Sequence, residues 1–144
     1  LLDLSHELDY VQWLFGKIKI EFSKSKKLSN LKIETDDFLS LNGRTDKVSS
    51  IQINLNYFTR EPIRQILIDG DGITAHADLI KKKIIYYQGK KKKIYNFKNS
   101  QRDIEYKKQH LAILKKKFKN NLCTFEEGKK IIYLINQIRS KSKK

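Results

Sequence analysis

His6 and Asp9 stand three residues apart inside a stretch with helical periodicity. At that spacing a carboxylate can fix the tautomer of an imidazole acting as general acid or base. An ordinary polar helix face has the same spacing, so on the residues alone both readings stay open. His76 and His110 have no nearby partner in the sequence and read as structural. Cys123 sits just before a helix start, where a thiol pKa can be lowered, but no histidine accompanies it as a base, so it does not read as a nucleophile. Arg60 and Arg64, beside the strand ending at Tyr57, suit an anionic group of a substrate such as a carboxylate or diphosphate, and equally suit a solvated loop.

Two motifs have competing readings. Gly70-Asp71-Gly72-Ile73-Thr74-Ala75 has the G-x-G-x-x-G/A spacing of a dinucleotide site. That chemistry needs a helix N-terminus after the glycines, whereas Ile73 to Ile80 is rich in β formers, so a hairpin turn is expected. Lysine runs at Lys81 to Lys83, Lys90 to Lys93 and Lys115 to Lys117 interleave with Tyr86, Tyr87 and Tyr95. They can be drawn as a basic, aromatic platform for single-stranded nucleic acid, or as hairpin edges guarded against pairing. No RNP, KH or helix-turn-helix pattern accompanies them. No Cys/His cluster has metal-ligand spacing, so no metal is expected.

The elements that must position these residues follow from periodicity. Leu4, Leu8, Val11 and Phe15 mark one face of a helix that Gly16 ends, with Asp3, His6, Asp9 and Trp13 roughly opposite. Ile18, Ile20 and Phe22 alternate as a strand, Leu31 and Ile33 as a second, with a Ser/Lys-rich loop from Ser23 to Asn30 between them. Phe38, Leu39 and Leu41 lead to a turn at Asn42-Gly43, and Ile51, Ile53, Leu55 and Tyr57 form the cleanest strand. Arg64 to Asp69 pairs with Ile73 to Ile80, and Lys83 to Tyr87 with Lys93 to Phe97, as two hairpins. Ile104, Leu111, Leu114 and Phe118 mark one late helix. Thr124-Phe125-Glu126-Glu127 is a capping box opening another that carries Ile131, Leu134, Ile135 and Ile138, with a frayed tail from Ser140 to Lys144. With no helix-length insertion between strands, the sheet must be mostly antiparallel. The expected fold is α+β: an open-faced sheet of about six strands with the N-terminal helix and two C-terminal helices packed on one face, the other face solvated or covered by a partner subunit.

Composition bounds the function. A chain of 144 residues and 17.1 kDa, 39% hydrophobic, suits one domain with a real core. It has no apolar run of the roughly 20 residues a membrane helix needs, and its acidic first turn is not a signal peptide. A single cysteine forms no internal disulfide, and a reducing, cytoplasmic setting is the default expectation. The net charge of +15 draws attention to nucleic acid, but 26 of the 31 basic residues are Lys and only five are Arg, alongside 19 Ile, 9 Asn and 3 Ala. AT-rich codons leave that pattern, whereas a recognition surface favours the planar fork of Arg. The chain has no Met, and Leu1 already lies inside a helical pattern, so a piece of a longer protein is expected.

The block Leu1-Leu2-Asp3-Leu4-Ser5-His6-Glu7-Leu8-Asp9-Tyr10-Val11-Gln12-Trp13-Leu14-Phe15-Gly16 resembles the helix after the nucleotide-binding domain in the glucose-fructose oxidoreductase and inositol dehydrogenase (Gfo/Idh/MocA) family, where H-E-x-D-x-x-x-W-L-x-G recurs. Glu34-Thr35-Asp36-Asp37 is similar to its acidic segment before a strand. Ile66-Leu67-Ile68-Asp69-Gly70-Asp71-Gly72-Ile73 is similar to its central hairpin, and Thr124-Phe125-Glu126-Glu127-Gly128 to the start of its last helix. The resemblance implies the C-terminal domain, over residues 1–144, of an oxidoreductase whose N-terminal Rossmann domain binds NAD or NADP. Hydride would pass between nicotinamide and a sugar, nucleotide-sugar or polyol, and the isolated domain would be inactive. It implies His6 as acid or base and Asp9 as a substrate contact, with oligomerisation through the open sheet face. Many members carry an Asp four residues before the histidine. Here that position is Leu2, and Asp3 is the neighbouring candidate, turned by about 100° on a helix. A basic nucleic-acid-binding module and a non-catalytic assembly domain of the same fold are the alternatives.

Overall fold

A computed structural model describes residues 2–97, 103–115 and 122–142. A 3-10 turn at Leu2–Leu4 leads into α1 (Ser5–Phe15), followed by β1 (Lys19–Lys26), β2 (Phe38–Arg44), β3 (Ile51–Asn56), β4 (Gln65–Gly70), β5 (Ile73–Asp78), β6 (Lys83–Gln88), β7 (Lys91–Asn96), α2 (Ile104–Leu114) and α3 (Phe125–Ser142). The α+β class is as expected. The strands, however, form two antiparallel sheets, β1-β2-β3 and β4-β5-β6-β7, in place of one sheet of about six. The segment between β3 and β4 contains Pro62, which has no N–H to give a ladder, and no hydrogen-bonded pairing links those two strands. The chain divides accordingly into two compact units, Leu1–Phe58 with Cys123–Lys144, and Thr59–Leu122.

In the first unit α1 and α3 pack together and α3 lies on β1. Leu8 of α1, Ile18, Leu39, Leu41 and Ile53 of the sheet region, and Ile131, Leu134, Ile135 and Ile138 of α3 form the core, with Val11, Ile20, Ile51 and Leu55 packed against it. The four α3 residues are those its helical spacing predicts. Its capping box forms as well: the Glu127 carboxylate accepts the Thr124 N–H at 2.7 Å, and Thr124 Oγ1 accepts the Glu127 N–H at 3.2 Å. The helix continues through Ser142, so the tail expected to fray is helical as far as it is described.

β1 departs from the simple alternation. Ile18 is buried and Ile20 half-buried, but a register shift between Ile20 and Phe22 turns Phe22 out to 52% exposure and brings Ser23 and Ser25 inward. The residues read as a loop are therefore strand as far as Lys26. Ser23 Oγ donates to the Ile138 carbonyl at 3.1 Å, and Ser142 Oγ accepts the Ser25 N–H at 3.0 Å, so the serines meet the polar groups of α3. The expected second strand at Leu31 and Ile33 is absent; both side chains are exposed in a loop.

That loop is organised by Asp37, whose carboxylate is fully buried. It accepts the N–H groups of Leu28 at 2.7 Å and Ser29 at 3.0 Å, the Ser29 hydroxyl, and Lys27 Nζ at 3.1 Å. Burial alone would raise its pKa, but the bonds from Ser29, Leu28 and Lys27 outweigh burial and hold the group well below the usual carboxylate range. Asn42-Gly43 lies within β2, not at a turn. A Cβ at Gly43 would come within 2.5 Å of the Lys19 carbonyl oxygen, so glycine is needed where the distorted β1 backbone crosses β2. The turn comes later, with Thr45 Oγ1 accepting the N–H groups of Lys47 and Val48, both at 3.1 Å.

The second unit is a four-stranded meander plus α2. Leu67, His76, Ile85 and Ile94 align in register on one face, and Ile66, Ala77, Ile84 and Tyr95 on the other. No residue of the four strands is buried. Both predicted hairpins form, with Gly72 at φ +68° in the β4–β5 turn. In α2, Leu111 and Leu114 of the predicted stripe are exposed while Ala112 is buried. Phe118, Lys116 and Lys117 lie outside the described residues. No helix among those described is long and apolar enough to cross a membrane.

Candidate functional site

The start of α1 gathers the groups with the most chemistry. Leu8 is fully buried in the core, which anchors the helix, and Glu7 beside it is carried inward to 7% exposure. His6, next in line, stays half exposed, and its Nε2 lies 3.0 Å from Glu7 Oε1. The other carboxylate oxygen of Glu7 accepts the hydroxyl of Tyr10, one helical turn on. When the imidazole is protonated, its approach to Glu7 is an ion pair with the buried carboxylate.

This differs from the pairing read from spacing. The carboxylate that meets His6 is that of Glu7, not Asp9. The charge of Asp9 instead acts on Cys123, whose thiol is pushed up by burial, by Asp9 and by Glu127. A thiol raised in this way is a poor nucleophile; the Gly128 N–H in the first turn of α3 lowers it, but by less than burial and the two charges raise it. Asp3, on the 3-10 turn, lies near Tyr57 at the end of β3: burial and then the Asp3 charge raise that phenol. Asp3 is exposed, and Asp9 is half-buried. Arg60 and Arg64 belong to the second unit; both are exposed, and the Arg64 carbonyl accepts the Leu79 N–H at 2.9 Å.

Glu7 escapes a reading that looks for groups sharing a face with His6, since it is the next residue along, whereas Tyr10, four away, lies on that face but donates to Glu7. Their own separation of three, within reach on one helix face, was the available signal.

The remaining motifs resolve readily. Gly70 to Ala75 is the β4–β5 hairpin, with Gly70 paired to Ile73, so no helix N-terminus follows the glycines and this segment does not fit a dinucleotide. Among the described residues no group of His, Cys, Asp and Glu is placed to hold a metal ion. Lys90 to Lys93 are all exposed, with Lys92 Nζ 5.5 Å from the centre of the Tyr87 ring. An apolar groove of about 460 Å³ runs along α3, lined by Phe125, Ile132 and Tyr133 among others, and contains none of the candidate residues.

No protein-family model matches the chain, and no curated protein matches it. Solved structures do. UDP-N-acetylglucosamine 3-dehydrogenase GnnA from Acidithiobacillus ferrooxidans superimposes with a TM-score of 0.73 at 16% identity, over 95% of this chain and 44% of that one. The chain shares its fold. The putative oxidoreductase yvaA from Bacillus subtilis gives 0.61 at 18% identity, over 96% and 47% of the two chains. The WlbA dehydrogenase from Bordetella pertussis, solved with NADH and UDP-GlcNAcA, gives 0.55 at 16%, over 98% and 41%. The chain thus spans less than half the length of each of these three proteins, and at these identities the likeness is one of fold.

Proposed function

We propose that the chain is the C-terminal, substrate-side domain of an NAD(P)-dependent oxidoreductase acting on a sugar, nucleotide-sugar or polyol. The carrying observation is a half-exposed His6 beside a buried carboxylate at the start of α1, in a fold shared with part of two nucleotide-sugar or sugar-nucleotide-bound dehydrogenases. In this reading His6 is the acid or base on the reacting hydroxyl, and Asp9 and Asp3 are polar groups on the same helical segment. Arg60 and Arg64 are cations suited to a carboxylate or diphosphate of the substrate. In this reading the nicotinamide cofactor is held by another domain; Gly70 to Ala75, a hairpin, supplies no helix N-terminus for a pyrophosphate. The β4–β7 sheet, with Leu67, Ile94 and Tyr95 exposed, supports assembly with a second copy through that sheet.

The test is to express the intact reading frame that contains these residues and to follow absorbance of the reduced nicotinamide with UDP-N-acetylglucosamine and its uronic acid as substrates. Turnover of either supports the reading. Cofactor binding without turnover of any sugar or polyol favours a domain of the same fold that serves assembly alone.

A basic nucleic-acid-binding module has one observation in its favour: 17 of the 31 basic and 6 of the 16 acidic residues fall in 59–122, giving that unit +11 of the +15. Neutralising Lys90 to Lys93 would then weaken a salt-dependent affinity for oligonucleotides. No binding at low salt disposes of this alternative.

A further inference from the structure

We propose that the outward apolar stripe of α3 is the surface on which the nucleotide-binding domain of the same polypeptide docks. The inference rests on the function proposed above and goes beyond it by naming where the two domains meet. α3 buries Ile131, Leu134, Ile135 and Ile138 in the core. About a third of a turn round the helix, Phe125, Gly128, Ile132 and Asn136 repeat at three-to-four spacing beside Tyr133 and line the groove described above. Phe125 is 79% exposed, Ile132 49% and Tyr133 59%, so this second stripe is open. Gly128 lies within it, one turn from Phe125 and one from Ile132. A Cβ there would meet nothing within 4 Å, so nothing among the described residues calls for glycine, the least favourable helix residue after proline. The missing side chain leaves a notch between two large apolar groups, open to something from outside the unit.

The occupant follows from reach and from area. Hydride passes between carbons held about 3–3.5 Å apart, so a cofactor serving a hydroxyl beside His6 brings its domain against α1. α3 packs on α1, and Phe125 begins it two residues after Cys123, whose thiol feels the charge of Asp9. The stripe therefore starts beside the helix that the cofactor domain must reach. More than half of GnnA and of yvaA lies outside the fold shared with this chain, which is room for such a domain. As for area, aromatic side chains bury about 150–250 Å² each, so Phe125, Ile132 and Tyr133 together fall short of the roughly 800 Å² per partner that separate molecules need. A domain tethered through the chain holds on with less, because the link supplies its effective concentration.

Hydroxyl-radical labelling of the intact protein, expressed from its whole reading frame, tests this. In the structure Phe125 is more exposed than Tyr106, 79% against 65%, and Tyr133 nearly equals it. Corrected for the intrinsic reactivity of each ring, Phe125 and Tyr133 should instead take up less label than Tyr106. Gly128→Leu fills the notch while favouring the helix, so it should raise the labelling of both rings and leave amide exchange at Leu134 and Ile135 unchanged. Cross-links from Lys129 and Lys130 should reach the nucleotide-binding domain, and in a mixture of light and heavy isotope-labelled protein they should join segments of one copy. Phe125 labelled more than Tyr106 overturns the inference, as does a Gly128→Leu protein labelled like wild type. Cross-links from α3 of one copy to α3 of another assign the stripe to self-assembly and overturn it too. Turnover of a UDP-linked sugar with the stripe open fails this inference alone. A protected stripe cross-linked to a nucleotide-binding domain, without turnover of any sugar, upholds it and fails the function reading. A reading frame that encodes no such domain overturns both.

Discussion

Ser23 Oγ donates to the Ile138 carbonyl oxygen at 3.1 Å across 115 residues of sequence, in a place closed to water. That bond ties β1 to α3, the helix that supplies Ile131, Leu134, Ile135 and Ile138 to the core of the first unit. Ser23→Ala removes the donor and leaves a void the size of a hydroxyl. A loss of about 1 kcal/mol in unfolding free energy is expected, read as a lower urea midpoint at an unchanged m value. A midpoint equal to that of wild type would mean the bond contributes nothing net.

Asp37 gives a prediction with a sign in pH. Its folded pKa is depressed, so its contribution to stability is complete above the ordinary aspartate value of about 3.9 and is lost as pH falls towards the folded value. Asp37→Asn cannot accept all of the bonds from Leu28, Ser29 and Lys27, and should lower Tm by several degrees at pH 7. The gap between wild type and variant should then narrow steadily from pH 4 downward. A gap that is constant with pH would show that the carboxylate charge is not what organises the 27–37 loop.

Gly43 should tolerate no side chain. A Cβ there meets backbone at 2.5 Å, an atom that cannot swing away as a side chain could. Gly43→Ala should cost about 1–3 kcal/mol, as overpacking in tight places does. The bulge it faces, between Ile20 and Phe22, is the element under strain, so amide exchange in β1 should speed up more than in β3.

Cys123 should be a slow thiol. Burial and the charges of Asp9 and Glu127 raise its pKa, so less thiolate is present at pH 8 than in a free cysteine. Iodoacetamide should alkylate it more slowly than glutathione, and Asp9→Asn should raise the rate by removing one of the charges that disfavour the thiolate. An Asp9→Asn rate equal to that of wild type would show that the Asp9 charge does not act on the thiol.

How far these features are legible in the residues depends on whether local rules act alone. α3 is fully legible: Thr124 and Glu127 mark its start, and Ile131, Leu134, Ile135 and Ile138 repeat at helical spacing and are buried. The meander is legible because Gly72 and Gly89 sit between β-forming runs. β1 is not. Its alternation reverses at a bulge, and the inward residues after it are Ser23 and Ser25, whose burial makes sense only with polar groups of α3 more than a hundred residues away. Leu31 and Ile33 read as a strand by alternation, yet nothing in the local pattern reveals that Asp37 gathers the loop before them. Asn42-Gly43 has the chemistry of a turn, but the glycine serves a close crossing within a sheet. At the candidate site, His6 is legible by residue type and by the resemblance around it. Its partner is not, because helix-face reasoning selects Asp9 while the ring bends to its neighbour Glu7.

The role of His6 is decided by kcat of the intact protein and its His6→Asn variant with a UDP-linked sugar and nicotinamide cofactor, with cofactor affinity measured alongside. The wild type should turn over, kcat should fall by about 10²- to 10⁴-fold in His6→Asn, and cofactor binding should be nearly unchanged. Equal kcat in the two proteins would contradict it and remove His6 from the chemistry.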